Sequence, residues 1–359
     1  MNPLKACQFE HHRSYSPLDG KTNGAEATGS ISIVVVNWNT KDRLRQCLSS
    51  VTTGHERQPQ IIVVDNASSD GSAQMVREAF PRVTLIEAGA NLGFAAANNM
   101  AIPHAAGEFV LFLNPDTSVK EGALARMAAF MRSHEQVGMV GPKMVHPDGR
   151  PYELGLQWFP TPFREFLRML LLSKNNTGFV KRLFPYQDPN VSGFVSKLYG
   201  GCLMVRRRVL DDVGLFDARF FMYWEDVDLC RRISEHGFRL YYDPQAEVVH
   251  WSGSASRKKA ANFAILTQCA SCLKLMQKYY GRREAYEYRA AVFLAATARL
   301  LALTLMAVGP WLRHSRKLEY RESFRKYCAM VSWSIRPSWQ CFPSRGAAEG
   351  AYWRKGNDI

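Results

Sequence analysis

The sequence predicts an α/β protein, a doubly wound and mostly parallel sheet followed by a helical, basic C-terminal extension. Three observations predict it. Short runs of β-branched and apolar residues recur at 31–36, 61–64, 83–86 and 109–113, the pattern of strands buried on both faces. Segments of helical period separate them, and right-handed β-α-β crossovers of this kind build a doubly wound sheet. Basic residues then gather beyond the alternation, around one long apolar segment.

Residues 1–29 are polar and rich in Gly, Ser and Thr, and read as a mobile tail. The domain spans 30–255. After the first strand, Asn39 or Thr40 can cap a helix in which Leu44, Cys47, Leu48 and Val51 fall at i, i+3, i+4 and i+7. The strand at 61–64 leads to a helix over 69–80, the strand at 83–86 to a helix over about 94–105, and 109–113 is the fourth strand. The alternation weakens after Val140. Residues 152–198 mix aromatics, prolines and a basic-flanked apolar segment, and read as an insertion or lid and not a core strand. Regular structure resumes at Leu198 and runs to about His250, and residues 256–359 form the helical, membrane-associating extension.

With 359 residues, 47% hydrophobic and 22% charged, the chain is neither a disordered polymer nor a fibre, and it can bury a sizeable core. Of the net charge of +14, residues 270–359 carry +10, from 16 Lys/Arg against 6 Asp/Glu. Such a tail suits an anionic surface, membrane or nucleic acid. Residues 290–308 approach the length of a bilayer span. Arg299 sits at their middle and both flanks are basic, which favours an interfacial or packed helix over a crossing. The eight cysteines are scattered and residues 1–29 hold no apolar signal core, which fits reduced thiols in a cytosolic compartment. Cys269 and Cys272 read as buried helix positions and not as a metal pair.

In an open α/β sheet, ligands bind beyond the carboxyl ends of the strands. Here those ends are polar: Asn37-Trp38-Asn39, then Asp65-Asn66-Ala67-Ser68-Ser69-Asp70-Gly71, then Asn91-Leu92-Gly93-Phe94, then Asn114-Pro115-Asp116. No GxGxxG follows the first strand and no GxxxxGK[ST] occurs, so a bound diphosphate needs another neutralising group. A divalent cation on Asp116 is the natural substitute. Downstream, Val227, Leu229, Cys230 and Ile233 form an apolar helix face that ends at Gly237, which puts Glu225 and Asp226 at the helix N-terminus, where the dipole favours their ionised forms. An ionised carboxylate at the rim can serve as a general base. The same two acids also serve simply as N-terminal helix residues.

The segments Ser32-Ile-Val-Val-Val-Asn-Trp-Asn39, Val64-Asp-Asn-Ala-Ser-Ser-Asp-Gly-Ser72, Asn91-Leu-Gly-Phe-Ala-Ala-Ala-Asn-Asn99, Phe112-Leu-Asn-Pro-Asp116 and Trp224-Glu-Asp-Val-Asp-Leu229 together resemble the family 2 glycosyltransferases, in particular a bacterial rhamnosyltransferase and galactofuranosyltransferase-like branch. The resemblance covers about residues 31–252, in the family's order. It implies a GT-A fold, a nucleotide-diphosphate sugar donor, a divalent cation (Mg2+ or Mn2+) and inversion at the anomeric carbon. Asp65 and Asn37 would hold the base, and Asn91 would lie with them on the donor-nucleotide side. Asn114-Pro115-Asp116 stands at the family's DxD motif with Asn in place of the first Asp, so Asp116 becomes the main metal carboxylate and Asn114 positions the ribose. Asp226 would be the base and Glu225 an acceptor or sugar ligand. His250 would join Asp116 on the metal or be structural, and Gly200 and Gly201 would let backbone approach the sugar. Trp224 would stack on a sugar face or pack in the core.

The resulting expectation is an inverting, metal-dependent transferase that moves a sugar, first of all rhamnose from dTDP-rhamnose, to a hydroxyl of a glycan or polyprenyl-linked acceptor in cell-surface polysaccharide synthesis. UDP-galactofuranose and other UDP sugars stand behind it. A nucleotidyltransferase would carry a Gly-rich, basic loop after the first strand, where Asn37-Trp38-Asn39-Thr40 stands instead. A non-catalytic nucleotide-sugar or membrane-binding module is the reading from another class, and Asp65, Asp116 and Asp226 together weigh against it. Downstream of such a site the basic tail suits anionic lipid and not nucleic acid, with the enzyme cytoplasmic and held peripherally at the inner face of the membrane.

Overall fold

The computed structural model describes residues 31–52, 58–152, 157–171, 187–251, 262–308 and 317–336. The expected N-terminal tail lies outside them. The elements are β1 (Ile31–Asn37), α1 (Lys41–Thr52), β2 (Gln60–Asp65), α2 (Ser72–Ala79), β3 (Thr84–Glu87), α3 (Phe94–Ala101), β4 (Phe109–Leu113), β5 (Thr117–Val119) and α4 (Ala123–Ser133). Then follow β6 (Val137–Val145), α5 (Pro162–Leu171), β7 (Gly193–Val195), β8 (Cys202–Arg206), α6 (Arg207–Val213), α7 (Glu225–Glu235), β9 (Arg239–His250), α8 (Phe263–Tyr279), α9 (Arg282–Val308) and α10 (Lys317–Ile335).

One sheet runs β3-β2-β1-β4-β8-β6-β9-β5, with β7 paired to β9. The half made of β3, β2, β1 and β4 is parallel. In the other half β8 runs antiparallel to β4 and β6, and β6 is parallel to β9. All seven residues of β1 are buried, because helices cover both faces. Ile33 and Val35 pack with Leu44, Cys47, Leu48 and Val51 of α1 and with α2 and α4. Val34 and Val36 point the other way, to α3, α6 and α7. The sheet is doubly wound, as the alternation predicted.

Local chemistry moves several expected boundaries. Pro103 interrupts the helix expected over 94–105, which continues past Ala101 only as a 3-10 turn, Ile102–His104. The helix expected from Ser69 begins at Ser72, whose N–H bonds Asp70 Oδ1 at 3.1 Å. Thr40 holds the N-cap position of α1, its carbonyl accepting the Leu44 N–H at 2.8 Å, but its hydroxyl bonds elsewhere. Asp70 Oδ2 accepts the Lys41 N–H at 2.9 Å, while the Thr40 hydroxyl donates to Asn37 Oδ1 at 2.6 Å.

Helices α8, α9 and α10 enclose a separate apolar cluster that α5 joins through Met169. Cys269 and Cys272 are buried in it as helix positions. Within α9 the stretch Arg282–Leu305 is long and apolar enough to cross a membrane, yet it packs by one side. Arg299 donates to the carbonyls of Met169 and Leu170, at 3.1 and 2.8 Å, and so closes the C-terminal end of α5. Arg289 does the same for Ser334 of α10, at 2.8 Å. The opposite side of α9 carries Leu294, Leu301 and Leu305, which are 56%, 61% and 75% exposed.

Candidate active site

The ends of β1 and β2 form the first part of the site. Asn37 and Asp65 are register partners on these parallel strands. Both are buried, and Asn37 Nδ2 donates to Asp65 Oδ1 at 3.0 Å and to Ser68 Oγ at 3.1 Å. Asp65 Oδ2 accepts the Ser68 N–H at 2.8 Å. A fixed carboxylate results, set in a turn whose Ala67 has φ 60°, and Asn39 beyond β1 has φ 55°. Left-handed backbone at such residues costs on the order of 1–3 kcal/mol each and gathers at functional sites.

Asn91 uses its side chain locally, as Oδ1 accepts the Gly93 N–H at 3.1 Å. Gly93 then explains the Asn91-Leu-Gly-Phe segment in packing terms. Its φ is 83°, and a Cβ there would lie 2.2 Å from the Phe221 carbonyl oxygen. That oxygen accepts the Phe94 N–H at 2.7 Å, so the glycine allows the loop leading into α7 to sit against the sheet's rim.

Beyond β4, the Asn114 N–H donates to Gly201 O at 3.0 Å, and Asp116 O accepts the Trp251 N–H at 2.9 Å. Asp116 and His250 are brought together: both are buried, and His250 Nε2 lies 3.1 Å from Asp116 Oδ1. Two adjacent ligands on an octahedral ion about 2.1 Å from each stand about 3 Å apart, so the pair's spacing fits a shared divalent cation. Nδ1 of His250 is buried without a hydrogen-bond partner. Among the described residues no cluster of three His, Cys, Asp or Glu side chains forms; a divalent cation held by two such groups commonly completes its shell with phosphate and water.

Gly200 and Gly201 join the Asn114–Asp116 segment to the acids of α7. The Gly200 N–H donates to Asp226 Oδ2 at 3.0 Å, and the Val227 N–H donates to Oδ1 at 2.8 Å. A Cβ on Gly200 would stand 2.8 Å from Asp226 Oδ2, and one on Gly201 would stand 2.8 Å from Tyr199 Cε1. The glycines thus make room for the protein's own Asp226 and Tyr199. Glu225 and Asp226 do open α7, behind Tyr223 and Trp224, both at φ 70°. Their protonation differs from that expected of a helix N-terminus. Burial, and then repulsion from Asp226, pushes the Glu225 carboxyl well above the ordinary range, and its Oε2 is buried without a partner. Burial also raises Asp226, against the lowering by the Val227 and Gly200 N–H groups and by Lys197. A raised but hydrogen-bonded carboxylate at the rim is suited to accept a proton near neutral pH. Trp224 packs among Phe220, Val227 and Leu275 and against the helical cluster.

Tyr199 and Tyr152 are site residues that the motifs do not reveal. Tyr152 OH donates to His250 O at 3.1 Å, and the Tyr199 ring centroid lies 5.8 Å from that of His250. The Tyr199 hydroxyl is pushed up by burial, then by Tyr152 and by the charges of Asp226 and Asp116, which places one phenol within the field of both carboxylates. Their only sequence signal is position: Tyr199 directly precedes Gly200-Gly201.

Residues 32–214 match the family profile described as Glycosyl transferase family 2. An N-acetylglucosaminyl-diphospho-decaprenol L-rhamnosyltransferase of Mycobacterium tuberculosis is 30% identical over 271 residues, covering 71% of this chain and 86% of that one. Rhamnosyltransferase WbbL of Escherichia coli strain K12 is 26% identical over 234 residues, covering 63% and 85%. Among solved structures, mannosyltransferase PcManGT from Pyrobaculum calidifontis, in complex with GDP-Man and Mn2+, superposes with a TM-score of 0.51 at 20% identity, over 84% of this chain and 85% of that one. With the sheet order, the helices on both its faces and this match, the chain is a glycosyltransferase of GT-A fold and belongs to glycosyl transferase family 2.

Proposed function

We propose that the chain is an inverting rhamnosyltransferase that transfers rhamnose from dTDP-rhamnose to a hydroxyl of a polyprenyl-linked glycan acceptor, in the synthesis of a cell-surface polysaccharide. The observation that carries the reading is the placement of Asp226, anchored by the Gly200 N–H at 3.0 Å and joined through Gly201 to the Asn114-Pro-Asp116 turn. Rhamnosyl transfer is the activity in the names of the M. tuberculosis and E. coli relatives, and the first of these names a diphospho-decaprenol acceptor.

In this reading Asp65 and Asn37 hold the base, with Asn91 and Asn114 along the donor nucleotide. Asp226 takes the proton of the acceptor hydroxyl as that oxygen bonds to the anomeric carbon. The bond from that carbon to the diphosphate breaks, and its electron pair leaves with the nucleoside diphosphate. Attack opposite the leaving group inverts the centre. The chemistry supplied by Mg2+ or Mn2+, when bound at Asp116 and His250, is neutralisation of the diphosphate charge. Glu225, buried and biased towards its neutral form, donates a hydrogen bond to a sugar or acceptor oxygen. Exposed Arg282 and Arg283 open α9, and exposed Arg321 and Arg325 lie on α10, which packs with it; this basic surface suits peripheral attachment to anionic lipid at the inner face of the membrane.

The test is release of nucleoside diphosphate from a panel of nucleotide sugars, with acceptor, by wild type and Asp226→Asn. dTDP-rhamnose is the expected substrate, and the variant should lose roughly 10²–10⁴-fold in kcat. Turnover of a UDP sugar in its place overturns the donor, full turnover by the variant overturns the base, and full activity in a chelator overturns the metal.

A further inference from the structure

The helical region holds a cavity of about 120 Å³ that the donor site does not use. It opens among α5, α8, α9 and α10, and three cationic side chains line it: Arg168, Arg299 and Lys326. Two of them, Arg299 and Lys326, have no acidic partner among the described residues. Arg168 pairs with Glu165 at 2.7 Å, and Arg299 is committed to two neutral carbonyls. Lys326 forms no ion pair among the described residues, and its nearest cation–π partner is Tyr327, 5.3 Å from the ammonium. Gathering like charges in a half-buried space opposes folding unless an anion joins them. The rest of the wall is apolar and aromatic, with Met169, Met330 and Tyr288 among it.

Trp224 also lines this cavity and directly precedes Glu225 and Asp226. The cavity therefore reaches the residue that opens onto α7, next in sequence to the two acids of the candidate site. A ligand with its anionic group on Lys326 and Arg299 would share the cavity with Trp224, the residue before Glu225. Arginine and lysine recognise phosphoryl oxygens through charge-assisted hydrogen bonds, and the apolar lining suits a phosphate that carries hydrocarbon. We propose that this cavity is the subsite for the phosphoryl group of the lipid-linked acceptor, with Lys326 and Arg299 as its anion ligands. The inference rests on the acceptor class proposed above, and places that acceptor's phosphate on the helical region, with its sugar directed past Trp224 to Asp226.

The test is direct binding of farnesyl diphosphate to the full-length protein, with the donor site saturated by dTDP, for wild type, Lys326→Gln and Lys326→Arg. Loss of one charge–phosphate contact should weaken binding roughly tenfold in Lys326→Gln, and Lys326→Arg should restore most of it. Inorganic diphosphate should bind much more weakly than farnesyl diphosphate. Equal affinity of wild type and Lys326→Gln overturns the site. Displacement of farnesyl diphosphate by phosphatidylglycerol vesicles at equal lipid phosphate overturns the acceptor assignment in favour of a bulk headgroup. Hydrolysis of the donor without acceptor, measured on the same variants, should not change. A failure of the rhamnosyl donor would show in that assay and leave the binding comparison readable.

Discussion

Asp228 of α7 and Lys278 of α8 form a buried ion pair, with Lys278 Nζ 2.5 Å from Asp228 Oδ1. Asp228 is fully buried, and its carboxylate also accepts from Tyr279 OH at 2.8 Å and from Arg232 Nε at 2.9 Å. All of this lies two residues from Asp226. The pair fastens the helix that carries the proposed base to the first helix of the C-terminal region, so that region is part of the scaffold of the candidate site.

Asp228→Asn is therefore expected to destabilise the protein by about 3 kcal/mol, the low end for breaking a buried pair. The low end applies because Lys278 keeps Asp217 at 2.9 Å and Arg232 keeps the carbonyls of Val213, Gly214 and Leu215. The urea midpoint at neutral pH measures it. An unchanged midpoint would show that the tie carries no stability.

Glu225 gives a pH signature. Burial and the neighbouring Asp226 raise its carboxyl in the folded protein, so the folded state binds this proton more tightly than the unfolded chain does. The associated stability is present below the unfolded carboxyl value and is lost as pH rises through the folded value. Glu225→Gln keeps the shape of the neutral acid and cannot ionise. The Tm difference between variant and wild type should then widen in the variant's favour from about pH 4 upward. A difference that stays flat with pH would mean that Glu225 is ionised in the fold.

The contrast between what the sequence disclosed and what it hid has a physical origin. Leu44, Cys47, Leu48 and Val51 were legible because helical period is a local property, and the polar strand ends at Asn37, Asp65 and Asp116 because strand termini share one rim. The Asp70 cap on α1, the Tyr152 and Tyr199 cluster and the Asp228–Lys278 tie each join residues at least twenty-nine positions apart, and no short window contains both partners. Glu225 shows the same division. Its place at a helix N-terminus is local and was read correctly, whereas the burial that overrides the dipole comes from tertiary packing.

The exposed side of α9 makes the proposed membrane attachment testable. Leu301 and Leu305 are 61% and 75% exposed, so replacing them should not disturb the helical core. Leu301→Glu should reduce co-sedimentation with phosphatidylglycerol vesicles by roughly tenfold, the worth of one aliphatic side chain moved from lipid to water. Raised salt should weaken binding further by screening the flanking arginines. Co-sedimentation indifferent to Leu301→Glu and Leu305→Glu together would remove α9 as the contact.

Gly200→Ala probes the geometry of the proposed base, Asp226. The added Cβ would meet Asp226 Oδ2 at 2.8 Å, Cβ at 3.1 Å and Cγ at 3.2 Å, so the carboxylate must turn away or the β7–β8 connection must shift. Either response breaks the 3.0 Å bond from the Gly200 N–H and moves the proton acceptor, and a displacement near 1 Å costs roughly 10²-fold in rate. The clash is with one side chain at the rim and not with the apolar core, so Tm should change little. The expected result is a kcat lower by roughly 10²-fold with donor KM unchanged, because Asp65, Asn37 and Asp116 stay in place. A rise in donor KM with kcat preserved would reassign Gly200 to donor binding, as the sequence alone suggested, and detach it from Asp226.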